Sequence, residues 1–95
     1  MNEHISLVKK WLNDPDSLSS EELKTNFEDA SQDYYAYAIA NAGIYDTAWF
    51  LEQFANFASA AAYDSATTTA GAIAASNAAE AADHWVKRYE ELTNE

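Results

Sequence analysis

The chain has one proline, Pro15, two glycines, Gly43 and Gly71, and no stretch in which β-branched and polar residues alternate. A half-buried strand needs that alternation, and a sheet needs turn residues between its strands. Apolar residues recur instead at three- and four-residue steps. That period predicts an all-α protein, a small antiparallel bundle of three to four helices. Ninety-five residues suit one domain, so 1–95 reads as a single helical unit.

The first helix is predicted over about 3–13, with Ile5, Val8, Trp11 and Leu12 as its apolar stripe. Asp14-Pro15-Asp16 ends it, because the residue before proline is biased away from helical backbone. A second helix is predicted over about 20–42. Ser19-x-x-Glu22 fits a capping box, and Gly43 supplies the stop. Leu23, Phe27, Ala30, Tyr34, Tyr37 and Ala38 share one of its faces. The third helix, about 47–63, can be capped by Asp46 or Thr47. Its expected buried side is Phe50, Phe54, Phe57, Ala58 and Ala61, with Glu52, Asn56, Ser59 and Tyr63 opposite. The fourth, about 65–92, carries a seam of Ala70, Ala74, Ala78, Ala81, Trp85, Tyr89 and Leu92. Small residues lie on nearly every side of it between Ala70 and Ala82, so neighbours can approach closely. This predicts an Ala-rich helix at the centre of the bundle. A single rod continuing through Asp64 is the alternative. Asp83 and Lys87 form an i,i+4 pair in the favoured order.

Charge is distributed unevenly along these helices. From Thr25 to Val86 there is no Lys and no Arg, while Glu28, Asp29, Asp33, Asp46, Glu52, Asp64, Glu80 and Asp83 all fall inside that span. The five cations are Lys9, Lys10, Lys24, Lys87 and Arg88, and the formal net charge is −11. Direct binding to nucleic acid or to an anionic bilayer is not expected, since phosphate binding needs Lys and Arg to displace counterions. A one-signed field of this kind repels wrong partners or attracts a basic one. The chain has no cysteine, which removes disulfides and thiolate metal sites. Its polar first residues do not resemble a signal peptide, and the low-charge run from Ala66 to Ala79 is not apolar enough to span a bilayer. The expected location is the cytoplasm. Phe27, Trp49, Phe50, Phe54, Phe57 and Trp85 supply enough apolar bulk to argue against disorder. Much of the remaining apolar content is Ala, which buries little area, so the helices pack closely or chains associate.

On a helical wheel Glu22, Asp29 and Asp33 share one face of the second helix, away from Leu23, Phe27 and Tyr34. Glu21 and Glu28 flank that face, and Asp46 and Glu52 add to the acidic region. Carboxylates one helical turn apart stand roughly 6 Å from each other, comparable to phosphate spacing along a nucleic-acid strand. Two readings are open: a surface that imitates the phosphate ladder, or a solvated face that serves solubility. Trp49 falls off the Phe50–Phe54–Phe57 side, where a tryptophan can anchor an interface. The candidate partner-binding set is therefore Glu21, Glu22, Glu28, Asp29, Asp33, Asp46, Trp49 and Glu52.

Other chemistry has less support. Glu80-x-x-x-His84, with Asp83 beside it, places a carboxylate and an imidazole one turn apart. A di-iron carboxylate bundle needs two Glu-x-x-His pairs and two further Glu, and this set is incomplete. No metal ligand, cofactor or catalytic residue is assigned. No serine has a histidine at a recognisable spacing, and no glycine-rich phosphate loop exists, so an enzyme is not expected.

The segment Ala78-Ala79-Glu80-Ala81-Ala82-Asp83-His84-Trp85-Val86-Lys87-Arg88-Tyr89-Glu90-Glu91-Leu92 resembles the C-terminal helices of small acidic bacteriophage accessory proteins. The resemblance covers under a fifth of the chain. It implies a class that includes acidic inhibitors of host defence or transcription, acting in the host cytoplasm. Taken together, the expectation is a DNA-mimic-type inhibitor that blocks a basic, nucleic-acid-handling host protein. The alternatives are a structural module that oligomerises through Ala-rich faces, and a carboxylate metal bundle.

Overall fold

The computed structural model describes residues 2–40, 47–67 and 71–93. They form four α-helices and one 3₁₀ turn: α1 Glu3–Asn13, the turn Pro15–Ser17, α2 Ser20–Ala40, α3 Thr47–Thr67 and α4 Gly71–Thr93. The all-α antiparallel bundle holds. Helix α3 runs on to Thr67 where the sequence suggests a stop at 63. Helix α4 begins at Gly71 rather than at 65. Nothing between Tyr63 and Thr67 breaks a helix, and Tyr63 is held against α2 by a stacked contact with Phe27, ring centroids 6.2 Å apart. The Gly43 stop, the Asp46 cap and Ala70 lie outside the described residues.

Local signals fix the first half of the chain. The Asn2 side chain accepts from the amides of His4 and Ile5 and caps α1. Asp14 closes α1 with its amide on the Lys10 carbonyl, and its side chain then accepts from the Asp16 amide to start the 3₁₀ turn. The capping box of α2 forms as expected: the Glu22 amide donates to Ser19 Oγ at 3.1 Å, and the Ser19 amide donates to the Glu22 carboxylate at 3.2 Å.

Helices α2, α3 and α4 form an antiparallel layer, and α1 packs across one side of it. The order α2–α3–α4 is visible in side-chain pairs. Phe27, Ser31 and Tyr34 of α2 meet Tyr63, Asn56 and Trp49 of α3, and Phe54 and Phe57 of α3 meet Trp85 of α4. Among the described residues α2 and α4 do not touch, so the central helix is α3, not α4. It earns that place with Ala55, Ala58, Ser59 and Ala62, all fully buried at three- and four-residue steps. Three neighbours converge on this stripe, and only small side chains let them come close.

The core lies between α1 and the layer. Ile5, Val8 and Trp11 of α1 meet Leu23 of α2, the alanines of α3, and Ala82, Val86 and Tyr89 of α4. Three sequence expectations change here. Ala58 is buried on α3 as expected, but with Ala55 and Ala62 beside it rather than the phenylalanines; Phe50 and Phe57 are exposed, at 44% and 38%. Ser59, expected to face outward, is fully buried. On α4 Tyr89 is buried as expected, but Ala82 and Val86 are buried with it where Ala81 and Trp85 were expected, and Leu92 is exposed. Bulk alone misassigns these faces, because the site of closest helix approach selects for small residues. Two further links pin α1: the Asn2 amide donates to Tyr89 Oη at 2.8 Å, and Lys9 pairs with Glu90 at 3.0 Å. The expected Asp83–Lys87 pair forms at 2.7 Å on the surface of α4.

Candidate protein-binding site

Where α1 leans across the start of α2, an open cleft of about 400 Å³ is left between them. Its rim carries Glu3 from α1 and Glu21, Glu22 and Asp29 from α2; His4, Leu7, Thr25 and Asn26 complete its walls. The four acids are exposed. A neighbouring shallow cleft shares Glu3, Leu7 and Glu22, and Lys10 stands on its edge.

Deeper along α2 the same side closes into a polar network. His4 Nδ1 lies 2.8 Å from Asn26 Oδ1, and His4 Nε2 lies 2.8 Å from Asp33 Oδ2. The Asn26 amide nitrogen donates to Ser59 Oγ at 2.7 Å and to the His4 carbonyl at 3.3 Å. Asn26 and Ser59 are buried. A carbonyl only accepts, so the Asn26 atom facing it is nitrogen and the atom facing Nδ1 is oxygen. Both ring nitrogens of His4 therefore face acceptors, and an imidazole that donates from both is protonated. Burial opposes that charge. The hydrogen bonds to Asp33 and Asn26, with the negative charges of Asp33 and Glu52, outweigh it and raise the His4 pKa above its ordinary value. Glu52, half-buried on α3, is pushed up by burial and by the Asp33 charge, with His4 opposing. Its Oε2 is shielded from solvent and has no hydrogen-bond partner among the described residues.

The predicted acids thus divide. Glu21, Glu22 and Asp29 come together at the open cleft. Asp33, one turn further on, is engaged by His4. Glu52 sits behind it on α3. Glu28 is exposed, and its wheel position turns it to the side of α2 away from α1. Trp49 is half-buried against Tyr34 and Phe50, at ring-centroid distances of 6.0 and 4.9 Å. Asp46 lies outside the described residues. Sequence reasoning missed His4, Asn26 and Ser59, since a wheel assigns polar residues outward; Asn26 next to Leu23 and Ala30 on one stripe is the signal that it belongs inside.

Three of the five cations are held by acids of α4, while Lys10 stands at the edge of the neighbouring cleft. Lys9 pairs with Glu90, Lys87 with Asp83 and Arg88 with Glu91, all acids of α4. Among the described residues Glu21, Glu22, Glu28 and Asp29 make no ion pair. No three His, Asp or Glu among the described residues are arranged to hold a metal ion. No described helix is long and apolar enough to cross a membrane. No family model, curated protein or solved structure matches the chain.

Proposed function

We propose that the chain is an acidic protein-binding inhibitor that occupies the phosphate-binding surface of a basic, nucleic-acid-handling protein. One observation carries this reading. The acids of the cleft rim, Glu3, Glu21, Glu22 and Asp29, stand exposed, while the ion-paired Lys9, Lys87 and Arg88 are taken by α4. Unpaired carboxylates held on two helices repel one another, and a basic partner relieves that repulsion. The guanidinium fork of an arginine donates two parallel N–H bonds to a carboxylate, as it does to a phosphate. The capping box holds Glu22, and the His4–Asn26–Ser59 network fixes the angle between α1 and α2, so the rim is set before a partner arrives. The resemblance to bacteriophage accessory proteins suggests a host protein as the target.

Affinity capture from bacterial lysate at low and at high salt tests the reading. A basic nucleic-acid-binding protein retained at low salt and released at high salt supports it. Capture indifferent to salt contradicts it.

A further inference from the structure

His4 is both a wall of the cleft and the node of the polar network behind it. Its two ring nitrogens meet different surroundings. Nδ1 faces Asn26, which is buried, whereas Nε2 faces Asp33, whose side chain is 61% exposed. Both contacts are 2.8 Å, and both partners accept. A protonated ring donates to both; a neutral ring donates to one. A buried acceptor that loses its donor has no water to replace it, while an exposed carboxylate is taken up by solvent. The bond to Asn26 is therefore the one kept. The proton leaves from Nε2 to solvent, and Asp33 is set free.

We propose that His4 is a proton switch on the acidic cleft: a basic partner and the His4 proton exclude each other. The inference rests on the inhibitor reading of the cleft and adds its regulation. With the proton on, a cation stands in the cleft wall and Asp33 is occupied. With the proton off, the wall is neutral, and Asp33 extends the exposed acids Glu22 and Asp29 by one turn of α2. Both changes favour a basic partner. The charged groups around the ring are Glu3 on its own helix, Glu21, Glu22, Asp29 and Asp33 on α2, and Glu52 on α3, all of them acidic. Helix α4 reaches α1 at Asn2 and Lys9 instead, through Tyr89 and Glu90. Burial opposes a charge on the ring, but Asp33, Asn26 and Glu52 outweigh it and raise its pKa, so the switch operates above pH 6.5. Helix α1 stays seated in both states, because Ile5, Val8 and Trp11 are buried and the Asn2–Tyr89 and Lys9–Glu90 links do not involve the ring. By reciprocity, a partner that engages Asp33 makes the ring give up its proton.

An N-acetylated hexa-arginine peptide is the probe, since its charge does not change over the range that matters. Its affinity, read by calorimetry at low salt, is expected to rise roughly three- to tenfold between about pH 6 and about pH 9. In an NMR titration the peptide lowers the pH at which the His4 ring titrates, with His84 of α4 as the internal reference. Asp33→Asn lowers that pH without any peptide. His4→Gln, which keeps the chain's other titrating groups, removes most of the rise in affinity. The NMR titration of the parent chain keeps the test decisive if that variant unfolds. A peptide that binds and is weakened by Glu21→Gln, Glu22→Gln and Asp29→Asn together, but with equal affinity at both pH values and an unmoved His4 titration, overturns the switch and leaves the inhibitor reading standing. A chain that binds the peptide at neither pH overturns both.

Discussion

His4 and Asp33, 29 positions apart in sequence, meet at 2.8 Å and tie α1 to α2. The ring reaches this point because its other nitrogen is held on Asn26, which is itself anchored to Ser59 of α3. One imidazole therefore joins three helices, and its charge state enters the stability of the bundle.

The sign of the resulting pH dependence follows from the direction of two shifts. The His4 pKa is raised in the folded chain above its ordinary 6.5, so its stabilisation is fully present below that value and is lost as pH rises through the folded pKa. The Glu52 pKa is raised above 4.5, so the folded state is again favoured by protonation and loses stability as pH rises. The two act in the same direction. The melting temperature is expected to fall between about pH 5 and pH 8. His4→Gln flattens that slope when melting is followed by circular dichroism in both forms. An unchanged slope in His4→Gln contradicts the assignment.

Asn26 is expected to matter more than its polarity suggests. Asn26→Leu leaves His4 Nδ1 and the Ser59 hydroxyl without their partner and removes a second bond to the His4 carbonyl, at a cost of about 2–4 kcal/mol in urea unfolding. Ser59→Ala removes only one of these bonds and is expected to cost about 1 kcal/mol. Equal small losses for both would mean that the network does not hold the helices together.

The alanine stripe of α3 sets how near its neighbours come. Ala58→Leu forces bulk into a fully buried position and is expected to destabilise the chain by about 1–3 kcal/mol. Ala66→Leu, on an exposed position of the same helix, stays within about 0.5 kcal/mol of the parent. The difference in denaturation midpoint between these two variants reads the packing directly.

Much of this structure was legible from local chemistry. The α1 stripe of Ile5, Val8 and Trp11, the Ser19–Glu22 capping box and the grouping of Glu22 with Asp29 all depend on residues within a turn or two of one another. The inward face of α3 was legible only at Ala58; the rest depends on three helices meeting at Ala55, Ser59 and Ala62, and size alone favoured Phe50 and Phe57. The role of His4 was hidden for the same reason. A histidine near the start of a polar segment carries no mark of an asparagine and an aspartate 22 and 29 positions away. The cation gap was plain in the sequence, but only the fold shows that, of its acids, Asp29 joins Glu3, Glu21 and Glu22 at the open cleft while Asp33 bonds His4.

The central claim is that the cleft acids compete with phosphate for a basic protein. It is tested most directly by mixing the captured partner with a labelled duplex and titrating in the chain. The account predicts displacement of the duplex. It also predicts that Glu21→Gln, Glu22→Gln and Asp29→Asn together raise the midpoint at least about tenfold, whereas Glu90→Gln with Glu91→Gln moves it little. Gln retains the capping bond at position 22, so the helix start is preserved. A duplex that stays bound, or a triple variant that displaces it as well as the parent does, would contradict the account.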